Sequence, residues 1–346
     1  MNKICTGVSQ MKYIMFLICT VGFIISCSSD SVETVKMDEE EIEVIENSWS
    51  VPQSEVLGPY SPFPLVTNSS FVSVDEVNYP DNHLTALISL GPDEIRAYPN
   101  AFFALYEVIN NDYEDKIYAL THCPLTGSTI CWDRNIDGET HTIKASGYLF
   151  KDNLMPTDIE TGSIWSQMLM RGVSGKHDQK RHNIYNTIET DWKTVKTQFP
   201  EAKVYNEVVE GAQLGQDVET EPTNRNFYRY GILSGVNNIT VHIYSYDLFE
   251  GMGLTLKTTL ITGKKVLVVG NKASNFISSY FVDNDTEFSV DETNSFNFID
   301  NKANTYNALG LVIEGPDKDL QLDSPKAYTA TWVAWQDLFE DFTIQE

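Results

Sequence analysis

The stretch IYALTHCPLTGSTICWDR, Ile117 to Arg134, holds two runs rich in Ile, Thr, Tyr and Trp on either side of Pro124-Leu125-Thr126-Gly127. Such runs favour strands, and the Pro–Gly segment favours a turn, so the stretch reads as strands over 117–121 and 128–133. With Leu125–Thr126 at the turn, Cys123 pairs with Ser128, and Cys131 falls several residues beyond. Outward from this hairpin, further strands are expected at 84–90, 141–146, 239–245, 265–269 and 275–282. Helices are expected at 100–109, 190–199, 247–254 and 331–339, the second stopped by Pro200. Short strands that do not alternate regularly with long helices give a strand-rich α+β fold.

The order of these elements recurs. Trp192 and Phe199 match Trp332 and Phe339 at a shift of 140 residues, DIETGSIW (158–165) matches DNKANTYN (300–307), and IYALTHC (117–123) aligns with KVLVVGN. Shifts that drift by a few residues are what loop insertions produce. Two similar sub-structures from an internal duplication are expected, about 84–205 and 239–344. The first-half strand ends in His122-Cys123-Pro124 and its counterpart in Gly270-Asn271-Lys272, so only the first half carries reactive groups there.

The 346 residues are 42% hydrophobic and 12% aromatic, which excludes disordered, collagen-like and coiled-coil classes. With 24 Lys+Arg against 49 Asp+Glu, the formal charge is −25, and a basic nucleic-acid groove is not expected. Five Cys are too few for a disulfide scaffold.

At the N-terminus, Tyr13–Ile25 is a thirteen-residue run without charge, preceded by Lys3 and Lys12. At ~1.5 Å per residue it is too short for a bilayer core of ~30 Å, so residues 1–26 read as a signal peptide. Met11 offers an alternative start. The run ends in Ile24-Ile25-Ser26-Cys27, which resembles the bacterial lipobox and implies cleavage before Cys27 and its acylation. The expected location is the cell envelope, lipid-anchored outside the cytoplasm, with the outer membrane favoured over the inner. Residues 27–55, dense in Asp and Glu, read as an acidic tether, and 56–346 as the folded part.

THCPLTGSTICWDR, Ser146-Gly147, DIETGSIWSQ (158–167), Arg96-Ala97-Tyr98-Pro99 and Trp332-Val333-Ala334-Trp335 together resemble the bacterial and archaeal family called domain of unknown function 3179. The resemblance runs from about Gly58 to Phe342. It implies a fold and no established activity. Many members carry Cys-Pro-Leu-Cys where this chain has Thr126, so a Cys-x-x-Cys redox couple or a two-thiolate metal clip cannot form at this turn.

Cys123 is the leading candidate for ligand binding or catalysis, with His122, Ser146, Trp165 and Gln167 as companions. His122 and Cys123 are adjacent in a strand, so they point to opposite faces unless the backbone is irregular. A soft-metal alternative combines His122, Cys123 and Met155, donors that suit copper. A Cys123–Cys131 disulfide is a further alternative, as is a Cys123 that is merely packed. Asp158 and Thr161 read as turn-closing residues. His141, His177, His182 and His242 are scattered and read as surface or core residues, with HDQKRH (177–182) as a charged loop first and a metal site only remotely. The leading functional expectation is an envelope protein binding a small ligand or metal in a cleft around Cys123, its partners the membrane and a small molecule. The alternatives are a thiol-dependent enzyme with Cys123 as nucleophile and an imidazole such as His122 or His141 as its base, and a structural or interaction lipoprotein.

Overall fold

The computed structural model describes residues 48–60, 63–67, 69–208, 225–236 and 238–345. The expected signal peptide, Cys27 and the tether as far as residue 47 lie outside the described residues. Residues 49–55, read from sequence as tether, pack onto the fold: Trp49 bridges Ser174, Ser50 N donates to Val173 O, and Val51 is buried.

From Leu84 the chain forms the antiparallel pair β1 (Leu84–Gly91) and β2 (Glu94–Pro99), followed at once by α1 (Asn100–Tyr106). β1 is buried on both faces, which is why it reads as an almost unbroken apolar run: Ala86, Ile88 and Leu90 meet α1, and Leu87 meets the opposite core. A three-stranded meander follows, β3 (Val108–Tyr113), β4 (Lys116–Cys123) and β5 (Ser128–Asp133). A second meander has four strands, β6 (Ile143–Phe150), β7 (Asn153–Asp158), β8 (Ile164–Ser166) and β9 (Arg171–Ser174). Then β10 (Ile188–Asp191) pairs with β1, α2 (Trp192–Gln198) crosses over, and β11 (Lys203–Tyr205) lies parallel to β2.

The remaining chain begins with β12 (Tyr228–Ser234) and β13 (Thr240–Ser245). The meander β14 (Thr255–Ile261), β15 (Lys264–Asn271) and β16 (Phe276–Val282) comes next. It leads into β17 (Phe288–Val290), β18 (Asn297–Asp300), β19 (Thr305–Asn307) and β20 (Val312–Glu314). β21 (Ala327–Thr331) pairs with β12, α3 (Trp332–Leu338) follows, and β22 (Asp341–Ile344) lies parallel to β13. The fold is strand-rich with three short α-helices among the described residues.

All four expected helices change: that at 100–109 ends at Tyr106, with Val108 and Ile109 opening β3, and that at 331–339 starts at Trp332, with Thr331 closing β21. Thr190 and Asp191 belong to β10, and the helix starts at Trp192, where the Asp191 carboxylate accepts from Thr194 N. The helix expected at 247–254 is a single 3-10 turn, Tyr246–Phe249, because Gly251 and Gly253 follow too soon for an α-helix to propagate. Among the described residues no helix is long and apolar enough to cross a membrane.

The hydrophobic cores join the two stretches of chain. Trp192, Val195 and Phe199 of the first pack with Leu267, Val269 and Phe298 of the second. Ile130, Trp132 and Trp165 of the first pack with Val241, Tyr328 and Trp335 of the second.

Candidate functional site

The β4–β5 hairpin sets the site, and its register pairs Cys123 with Ser128 as the sequence indicated. Residues opposite one another in an antiparallel ladder share a face. Ala119, Thr121, Cys123, Ser128, Ile130 and Trp132 therefore face one way, and Leu120, His122, Thr129 and Cys131 the other. Cys131 lies in the α1-facing core while Cys123 packs with Val108, Ala119, Ile143, Ala145 and Leu154, and both thiols are free. The disulfide alternative is excluded by this geometry.

Cys123 borders a cleft of about 100 Å³ whose walls include Tyr60, Phe63, Glu107, Leu125, Gly147 and Leu154. Its Sγ donates to Asp152 O at 3.4 Å. Burial pushes the thiol pKa up, against hydrogen bonds from Thr126, Leu154 and Leu125 that pull it down. The resting form is thus the thiol, not the thiolate nucleophile. Glu107, at φ 54 where α1 ends, brings a carboxyl to the same cleft, and burial raises its pKa to about 7. Larger hollows of about 680 Å³ by Arg171 and Glu340, and about 510 Å³ by Lys265 and Asp317, include no cysteine in their walls.

His122 turns away from the cleft. Its ring stacks on Phe103 at 5.2 Å, and Nδ1 lies 2.8 Å from Thr129 Oγ1. That hydroxyl donates to Glu189 Oε1 at 2.7 Å, so it accepts from His122 Nδ1. Glu189 in turn accepts from Arg225 Nη2 at 3.0 Å. Burial, above all, lowers the His122 pKa to about 4 and keeps it neutral. Met155 sits in a separate core with Val51, Phe150 and Val173. His122, Cys123 and Met155 do not converge, and the copper arrangement is not assembled: His122 and Cys123 alternate across β4, and on β7 it is Leu154 that packs with Cys123 while Met155 joins the separate core.

Ser146 and Gly147 form a bulge between Ala145 and Tyr148. The serine hydroxyl donates to Met155 O and accepts from Tyr148 N. Gly147, at φ 82, accepts from Tyr60 N at 2.7 Å, and a Cβ there would lie 2.2 Å from Tyr60 O. The close approach anticipated for a ligand is made by the chain itself. Gln167, fully buried, has its valences filled: Oε1 accepts from Ser128 Oγ (2.7 Å) and Asn153 Nδ2 (2.8 Å), and Nε2 reaches Thr121 Oγ1 (2.9 Å) and O (3.0 Å). It staples the hairpin to β7. Neither Gln167 nor Trp165 lines the Cys123 cleft.

Trp165 belongs to a second constellation that sequence reading did not join. Its indole donates to Asp158 Oδ2 at 2.9 Å, while Asp158 Oδ1 accepts from Thr161 N (2.8 Å), Thr161 Oγ1 (2.6 Å) and His141 Nδ1 (3.1 Å). His177 stacks on Trp165 with centroids 5.5 Å apart and meets the His141 ring edge-on at 5.4 Å. His182 lies 5.0 Å from Trp165 and 4.3 Å from Trp132. His177 Nε2, His182 Nε2 and Trp132 Nε1 are buried with no hydrogen-bond partner. An orphaned buried polar atom costs about 1–3 kcal/mol, so three around one spot are notable. The signal available in sequence was the Asp-x-x-Thr run itself, which fixes the carboxylate; His141 comes from the segment before β6, and His177 and His182 from the loop after β9.

Several antiparallel meanders, a buried hairpin thiol and a His–Asp–Trp cluster make up a strand-rich fold with three short α-helices among the described residues. The chain belongs to the family described as protein of unknown function DUF3179, whose model matches residues 61–342. Comparison with curated proteins and with solved structures gives no match.

Proposed function

We propose that the protein is a lipid-anchored cell-envelope binding protein that takes a small, largely apolar molecule against Cys123. The observation that carries this reading is the cleft: about 100 Å³, walled by Tyr60, Phe63 and Leu154, with one thiol and one carboxyl. At ~30 Å³ per water such a space suits a ligand of a few heavy atoms and no nucleotide or haem. Size-graded thiol reagents test it on the native protein. Methyl methanethiosulfonate should label Cys123 well before Cys131, and a bulky aromatic disulfide should label neither. Equal, denaturant-dependent labelling of both would mean a packed cysteine and end the proposal.

Glu107 favours one second reading, a thiol-dependent enzyme in which that carboxyl, with its pKa at about 7, takes the Cys123 proton when substrate enters. The anchor at Cys27 rests on the lipobox-like sequence, and the outer membrane is the favoured site.

We also infer an internal duplication. The order β10-β1-β2-β11 and the order β21-β12-β13-β22 have the same sense of pairing at each step, each closed by a parallel strand after a helix. Three- and four-stranded meanders occupy the same place in both. Asp191 and Thr331 cap their helices alike, accepting from Thr194 N and Ala334 N, and Phe199 N and Phe339 N close them on Val195 O and Trp335 O. Helices matched cap for cap support the reading.

A further inference from the structure

We propose that His141, Asp158 and His177 bind one divalent first-row transition ion, of the zinc or cobalt class, independently of the Cys123 cleft. One ligand atom from each lies within 4.8 Å of the other two, and all three residues are buried. Asp158 holds its place through four donated hydrogen bonds, but only one of them, from Trp165 Nε1, falls on Oδ2, so that oxygen keeps a free lone pair. A carboxylate accepts only, so in the empty site His141 donates from Nδ1; an ion seated between the two displaces that proton and takes the Nδ1 lone pair. His177 offers Nε2, buried and without a partner.

The independent observation is the ring of orphaned nitrogens. His182 Nε2 and Trp132 Nε1 are buried beside the same Trp165 ring and also lack partners. An ion in the cluster takes the His177 lone pair that no donor of the protein meets.

Donor chemistry selects the ion. Two imidazoles and a carboxylate without a thiolate suit zinc, cobalt or iron(II), while calcium and magnesium want oxygen donors throughout. Bonds of about 2.0–2.1 Å put tetrahedral ligands roughly 3.4 Å apart, so the present cluster would contract on loading. The His177 backbone is pinned, its N–H donating to Ser163 Oγ and its neighbour Asp178 bridged to Gly172, so the contraction falls to side-chain rotation. Glu160, whose Oε2 lies 3.8 Å from His141 Nδ1 and which is partly exposed, marks the acidic approach. Three protein ligands leave at least one position open for water or substrate.

The test is cobalt titration of the tag-free full chain after chelator treatment and dialysis. Saturation at one equivalent, visible absorption bands, displacement by zinc and an X-ray absorption spectrum with two imidazoles and an oxygen donor are expected. His177→Gln should weaken binding by at least about 100-fold, while His242→Gln should leave it unchanged. Absence of saturable binding by the wild-type chain would overturn the proposal, and so would cobalt held by other donors or equally well by His177→Gln. The spectrum needs no variant, so a folding defect in His177→Gln leaves the test intact. The thiol-labelling result decides the Cys123 reading separately.

Discussion

Replacing Arg225 by Met should be among the most damaging single changes in this protein. Arg225 and Glu189 form a buried ion pair at 3.0 Å, with both side chains 5% exposed. The guanidinium also lies over the Tyr228 ring at 4.5 Å. Burial alone would lower the Arg225 pKa, but Glu189 and the neighbouring tyrosines outweigh it and the net direction is up. Met fills the space of the arginine stem yet leaves the Glu189 carboxylate without its counter-ion, which costs about 3–5 kcal/mol. At about 3 kcal/mol per molar urea, the unfolding midpoint should fall by roughly 1–1.7 M. Adding Glu189→Leu removes the stranded charge, and Thr129 Oγ1 still pairs with His122 Nδ1. The double variant should therefore return to within about 1 kcal/mol of the parent. Urea unfolding followed by tryptophan fluorescence measures all corners of the cycle. A single variant that loses less than about 1 kcal/mol, or a double variant as unstable as the single, would refute the argument that the pair is held by mutual compensation.

Glu107→Gln should stabilise the protein at pH 8 by about 1–3 kcal/mol and have little effect at pH 4, because a carboxyl raised to about 7 loses stability as pH rises from its unfolded value through the folded one; equal effects at both pH values in urea titrations would count against it. Gly127→Ala should cost about 2–4 kcal/mol, since φ is 58 and a Cβ would lie 2.2 Å from Tyr228 Cε1, whereas Gly138→Ala, at φ 85 with open space around it, should cost about 1 kcal/mol or less by thermal unfolding.

Much of the fold was legible wherever a strand or helix is encoded by its own residues. The β4–β5 register, α3 and the end of α2 before Pro200 follow from local pattern. Strands such as β8 and β19 are three residues long, take their shape from neighbours and leave almost no periodicity to read. The candidate site divided along the same line. Cys123 at a turn, Asp158 and Trp165 were visible as residues of interest, but the sequence could not say that Gln167 would be consumed in a structural network. His141 and His177 are 36 residues apart and meet only because β6 to β9 fold the second meander between them. Separation of that kind is set by tertiary packing, which no local pattern records.

The Cys-Pro turn has a further anchorage: Thr126 O accepts from Thr331 N at 2.9 Å, and Thr331 is the residue that caps α3. The thiol's turn and the start of the last helix are thus tied by one backbone hydrogen bond. Cys123 and Thr331 are 208 positions apart in the chain, yet a change at either is a change at both. Truncations that remove the C-terminal helix would unmoor the loop beside the thiol, and any survey of substitutions that alter the cleft has to count positions near the chain's end as its immediate neighbours.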